Sequence, residues 1–219
     1  MKRGSAPATE LSAPLSAEMT IDPATTALLM LHWENELCLP DGKFAQNLPD
    51  RIKKALNIEH TQAALKVSRE KGVLVVYVRL AFRPGYPEIP AKAIPMEQGL
   101  REVGAFIDGS WGAEIIDELK PVEGDIVITN KSSDAFTDTE LHHLLQANGI
   151  TDLVLTGMCT HFVISTTCRS AGSGGYLPYI LQDCCNSWSD DQHLWPLNNN
   201  LSHLAIISDS TAYIKALGR

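Results

Sequence analysis

The stretch Leu155–Ala171, LTGMCTHFVISTTCRSA, places Cys159 where an apolar run gives way to a predicted helix. A helix N-terminus carries partial positive charge that favours thiolate over thiol, so the chemistry on offer is attack by sulfur. His161 follows two residues later, and His32 ends an earlier apolar run. An imidazole exchanges protons near neutrality, so His32 next to Cys159 would make a cysteine–histidine dyad. The plainer readings stand beside these: Cys159 as a small residue packed in a tight turn, His32 as a hydrogen-bonded pocket wall.

Glu34 lies two residues after His32, which suggests a His-x-Glu metal pair, but the third ligand would have to be His161. No metal and no other cofactor is expected. Arg83, in FRPGYPE, has a planar fork suited to clamping a carboxylate, or it forms a salt bridge with Glu88 or Asp108. Trp33, Phe44, Tyr86 and Trp111 suit an aromatic pocket, with core or subunit-interface packing as the alternative; Met158, beside Cys159, is a further wall candidate. Cys38, Cys168, Cys184 and Cys185 show no metal spacing and read as reduced, buried thiols.

These side chains need a scaffold, and the apolar runs supply one. TALLMLH (26–32), GVLVVYVRL (72–80), GDIVIT (124–129), TDLVLTG (151–157), GYLPYILQD (175–183) and LAIIS (204–208) read as six buried strands. Helical patterns fall between them: 50–72 from a capping Asp50 to Gly72, one ending on Gly149, one starting near Thr160, and a partly helical piece around Pro196. Strands alternating with helices predict a doubly wound α/β fold, a six-stranded parallel sheet covered on both faces. Ligands of such sheets bind beyond the carboxyl ends of the strands, which is where His32, Arg83, Asn130 and Cys159 fall. Residues 81–112, broken by four prolines, read as a lid or binding loop.

The chain has 219 residues, enough for one domain, expected over 23–219 behind a flexible arm at 1–22. A net charge of -8 without a basic cluster argues against nucleic acid and anionic membranes as partners. No apolar run reaches the roughly 20 residues of a membrane span, and the amino-terminal stretch lacks a signal-peptide core; a cytoplasmic protein is expected. Its partners are then a small-molecule substrate and copies of itself, as a dimer or tetramer.

The phrases ALLMLHWENEL, VVYVRLAFRPG, GSWGAEIIDELKPVEGDIVIT, DAFTDTEL, LVLTGMCTHFVISTTCRSA and LQDC, in this order across 26–213, resemble the isochorismatase-like hydrolases. That family includes isochorismatases, nicotinamidases and other small amidohydrolases. The resemblance implies a Rossmann-like fold and a triad: an aspartate ending the first strand, a lysine ending the third, and a cysteine in the first turn after the fourth. It also implies backbone amides near a cis peptide that hold an oxyanion. Aligned without gaps, those positions are His32, Asn130 and Val163; a one-residue gap would put Lys131 in the lysine place. Valine cannot act as a nucleophile, so the inherited thiol mechanism is not expected here.

The sequence therefore predicts a divergent hydrolase acting on a small carboxylated or amide-bearing molecule by acid/base chemistry, without a cysteinyl intermediate. Two alternatives remain: a silent relative serving as metabolite-binding or structural subunit, and a lyase or cyclase of secondary metabolism that reuses the pocket.

Overall fold

A computed structural model describes residues 19–218. The six apolar runs form β1 (Thr26–Leu31), β2 (Leu74–Leu80), β3 (Ile126–Asn130), β4 (Asp152–Met158), β5 (Leu177–Asn186) and β6 (Ile206–Ser208). All are parallel, in the order β3-β2-β1-β4-β5-β6. The order reverses between β1 and β4, which is where such sheets open a crevice for ligands.

The helices are α1 (Asn35–Cys38), α2 (Leu48–Lys54), α3 (Asn57–Lys71), α4 (Pro95–Val103), α5 (Leu141–Ala147), α6 (Ser165–Ser173), α7 (Asp190–Asn199) and α8 (Ser210–Leu217). Successive strand residues point to opposite faces, so one apolar cluster gathers Leu28, Met30, Val75, Tyr77 and Val154 with Leu65 of α3 and Tyr213 of α8. The other gathers Leu29, Leu31, Val76, Ile128 and Leu155 with Leu141 of α5 and Cys168 of α6. Both faces are thus covered, as the near-continuous apolar strands require.

Three local features depart from the sequence reading. The helix expected over 50–72 is two, because Leu56 adopts a left-handed conformation at φ 54° that interrupts the ladder. The proline-rich segment 81–112 contains α4: Pro95 sits at its start, where a missing N–H costs nothing. The last four residues of the expected arm are not free, since Met19 and Ile21 are buried against the first cluster; residues 1–18 lie outside the described residues. No helix among the described residues is long and apolar enough to cross a membrane.

Gly157 sets how closely β1 and β4 approach. Its φ is +137°, and a Cβ there would stand 1.8 Å from the Leu31 carbonyl oxygen. Only glycine fits. The β4–β5 register shifts at this point, and the chain then turns through a cis Met158–Cys159 peptide into a π turn at Thr160–Ile164 ahead of α6. That turn brings Cys159 and Val163 to one place.

Candidate active site

The carboxyl ends of the strands surround a cavity of about 230 Å³. His32 after β1, Leu80 of β2, Lys131 after β3, Met158 and Cys159 of the β4 turn, and Trp188 after β5 all line it, together with Val163. The rest of the wall is mainly apolar: Phe44, Phe82, Phe106 and Phe162, with Met96 and Leu100 of α4 forming one side. The positions that the family resemblance assigned to aspartate and cysteine therefore face one hollow, and neither is a carboxylate or a thiol.

His32 is 5% exposed and left-handed at φ 51°, with its N–H held by the Val78 carbonyl at 3.0 Å. Its Nε2 lies 3.2 Å from Asn130 Oδ1. The Asn130 side-chain amide donates to the Ser132 carbonyl at 2.7 Å, so the Asn130 oxygen is the acceptor and Nε2 carries the proton. Nδ1 is left as a lone-pair acceptor. Burial lowers the His32 pKa to about 4, and the Asn130 hydrogen bond offsets only part of that. The imidazole is neutral at pH 7.

Cys159 is buried among apolar atoms, and burial pushes its thiol far up, away from thiolate. No cation offsets this desolvation. Lys131 donates from Nζ to the Ala81 carbonyl, and partial burial lowers its pKa. Asn130 itself is buried behind His32, outside the cavity wall.

His161 points away from the hollow: its Nδ1 is 2.9 Å from Ser187 Oγ, and its ring meets Trp188 at a centroid distance of 5.5 Å. Burial lowers its pKa as well. Glu34 is fully buried, its Oε1 accepting the Leu80 N–H at 2.6 Å, and burial raises its pKa to about 8, so it is protonated at neutrality. His32, Glu34 and His161 thus do not converge, and no group of three or more His, Cys, Asp or Glu among the described residues is arranged to hold an ion.

Four further pocket candidates sit elsewhere. Trp33 is fully buried in the core. Arg83 is exposed, ion-paired through one guanidinium nitrogen with Glu88 at 3.1 Å, and is not among the residues that line the cavity. Tyr86 is buried and donates to the Ala105 carbonyl at 2.7 Å, bracing the segment that carries Phe106. Trp111 is 47% exposed on the surface. A His-x-Glu pair on one side would need the strand to continue past His32; β1 ends at Leu31, His32 is left-handed, and Trp33 and Glu34 are both fully buried.

Trp188, Phe106 and the α4 side chains were not singled out from sequence. Trp188 follows β5, so the rule that ligands gather at carboxyl strand ends contained the signal. Phe106 is placed by a carboxylate: Glu36, 2% exposed, accepts the N–H groups of Lys43 at 2.8 Å and Phe106 at 3.2 Å. Phe44 and Phe106 meet edge to face at 6.2 Å above it. Gly112 packs on this carboxylate, where a Cβ would come within 2.7–2.9 Å of its atoms.

The isochorismatase domain profile matches residues 26–212. The ureidoacrylate amidohydrolase RutB of Methylobacterium radiotolerans is 27% identical over 212 residues, spanning 91% of this chain and 82% of that protein. That of Caulobacter vibrioides is 26% identical over 185 residues, 79% of this chain and 82% of the relative. Among solved structures, a cysteine hydrolase from Pseudomonas syringae pv. phaseolicola superposes with a TM-score of 0.79 at 18% identity, covering 94% of this chain and 98% of that one. N-carbamoylsarcosine amidase from Thermoplasma acidophilum gives 0.69 at 25% identity, covering 85% and 96%. With the profile spanning nearly all of the described chain, the sheet order and the strand-end cavity find their common explanation: this chain belongs to the isochorismatase family of hydrolases.

Proposed function

We propose that the protein hydrolyses a small amide-bearing or carboxylated molecule without forming a bond to cysteine. The observation that supports this reading is the cavity wall: Val163, at the position that the resemblance assigns to the nucleophile, lines it beside the buried thiol of Cys159 and His32, whose Nδ1 is left as the available base. A water bound to Nδ1 gives its proton to the imidazole as its oxygen attacks the amide carbon. The C–N bond then breaks, and the amine leaves with the proton that His32 returns. The amidohydrolase and amidase relatives support amide chemistry as the class.

A second reading, a binding protein without turnover, is favoured by the His32 pKa of about 4, because so weak a base removes little of the barrier. A panel of small amides, followed for amine release and by intact mass, separates the two. Turnover with an unmodified protein mass supports the first reading. A covalent adduct on any residue overturns it, and saturable binding with no product selects the second.

A further inference from the structure

On the β3 side of the cavity, Arg79, Arg83, Asp108 and Glu88 all lie near enough to bear on the charge of Lys131. Arg79 pairs with Asp108 at 2.7 Å and Arg83 with Glu88 at 3.1 Å. Three cations and two carboxylates thus form two pairs, and Lys131 is the cation left over. Among the described residues it has no carboxylate within ion-pair distance; its partner is the neutral Ala81 carbonyl. An ammonium has three N–H donors, so two remain for a ligand.

The surroundings limit what that ligand is. Apart from Lys131, Ser132, Ser133 and Glu97 the wall is mainly apolar, with Phe44, Phe106, Phe162, Trp188 and Leu100 among its residues, which favours an apolar body. A volume of about 230 Å³ is below the roughly 300–1,000 Å³ of drug-sized pockets, so the body is a single ring or its aliphatic equivalent. Glu97 also lines the hollow, but it sits in the first turn of α4, where the helix N–H groups offset its charge.

We propose that Lys131 is an anion anchor and that the molecule bound in this cavity is a hydrophobic carboxylate, its carboxylate on Lys131 and its reacting group toward His32. This rests on the reading of the cavity as the substrate site. It assigns Lys131 to recognition and not to a rebuilt triad, since the thiol it would have activated is absent.

Calorimetry on the full-length protein with phenylacetate, phenylacetamide and phenethylamine tests the assignment, because the three share one ring and one chain and differ in charge. Phenylacetate is expected to bind at least about tenfold more tightly than either other probe, and Lys131→Met to abolish that preference while changing phenylacetamide affinity by less than about twofold. Equal affinities, a preference for phenethylamine, no binding of any probe, or a preference that survives Lys131→Met would each overturn the assignment. Amide turnover without carboxylate selectivity would overturn it while leaving the proposed function standing; carboxylate binding without turnover would do the reverse.

Discussion

Two hollows open along the same sheet edge, and they are built on opposite principles. The one beside His32 is about 230 Å³ and largely apolar. The other, about 510 Å³, lies between α2, α7 and the end of β5 and is lined by Arg51, Asn57, Asp183, Asn186 and His193. In the larger one the polar groups answer each other: Arg51 pairs with Asp190 at 2.7 Å, and Asn57 donates to the Asp183 carbonyl at 2.7 Å while accepting from Asn186 at 2.7 Å. Asp183 accepts from the Ser210 hydroxyl at 2.6 Å. In the smaller one, His32 and Lys131 both line the wall, and among the described residues His32 Nδ1 has no hydrogen-bond partner and Lys131 no carboxylate within ion-pair distance. On the proposed reading, unfilled bonding capacity rather than size marks the functional site.

The largest effect should come from breaking the self-satisfied hollow. Asn57 is 1% exposed, and Asn57→Ala leaves the Asp183 and Cys185 carbonyls and the Asn186 amide without their partner. A loss of about 3 kcal/mol in a denaturant titration is expected. A loss below about 1 kcal/mol would show that this network is not structural and return the larger hollow to consideration as a ligand site.

The smaller hollow should respond in rate. Asparagine tolerates the left-handed backbone of position 32, so His32→Asn tests the imidazole without backbone strain. Once a substrate is in hand, this variant should lower turnover at least about a hundredfold, whereas Cys159→Ala should cost less than about tenfold. Circular dichroism of both variants checks that they are folded. The reverse order of effects would move the chemistry to sulfur.

One histidine in each hollow makes the comparison sensitive to pH. Burial lowers both His32 and His193 to about 4, from the 6.5 that each has when unfolded. The unfolded chain therefore binds more protons between those values, and stability is lost as pH falls from about 6.5 to about 4. Glu34 works in the other direction. Its folded pKa of about 8 against 4.5 means that stability also declines as pH rises from 4.5 to 8. Urea midpoints should thus pass through a maximum near pH 6.5, with His193→Asn flattening the acid limb and Glu34→Gln the alkaline one. A midpoint that climbs steadily to pH 8 would contradict the burial of Glu34. Turnover should stay level from pH 5.5 to 8, without the inflection near 6.5 of an ordinary histidine.

The smallest expected effect is none. Val163→Cys places a thiol at the position that the family resemblance assigns to the nucleophile, but beside a neutral imidazole, so no covalent adduct and no added amide turnover should appear. Clear gain of activity, with an adduct by mass, would show that the valine alone separates this chain from cysteine hydrolases.

The sheet was legible because strands buried on both faces must be continuous apolar runs, and the six runs became the six strands. The breaks were not. Nothing in the residue type announces a left-handed Leu56 or His32, since the surrounding packing imposes those conformations. Much the same divides the site. His32, Lys131, Cys159 and Val163 follow strand ends, and topology alone brings them together. Trp33, Glu34 and Tyr86 have pocket-like chemistry but bury it in hydrogen bonds and packing that only the tertiary structure reveals.

The Glu36 carboxylate couples the two aromatic edges of the cavity mechanically. Because one buried group holds the amides at Lys43 and Phe106, the rings of Phe44 and Phe106 cannot be displaced independently through their backbones. Anyone reshaping this cavity for a different ligand has two separate controls. Exchanging a ring at position 44 or 106 trims the wall locally. Adding a methyl group at Gly112, remote from the ligand, would press on the carboxylate and shift both edges at once.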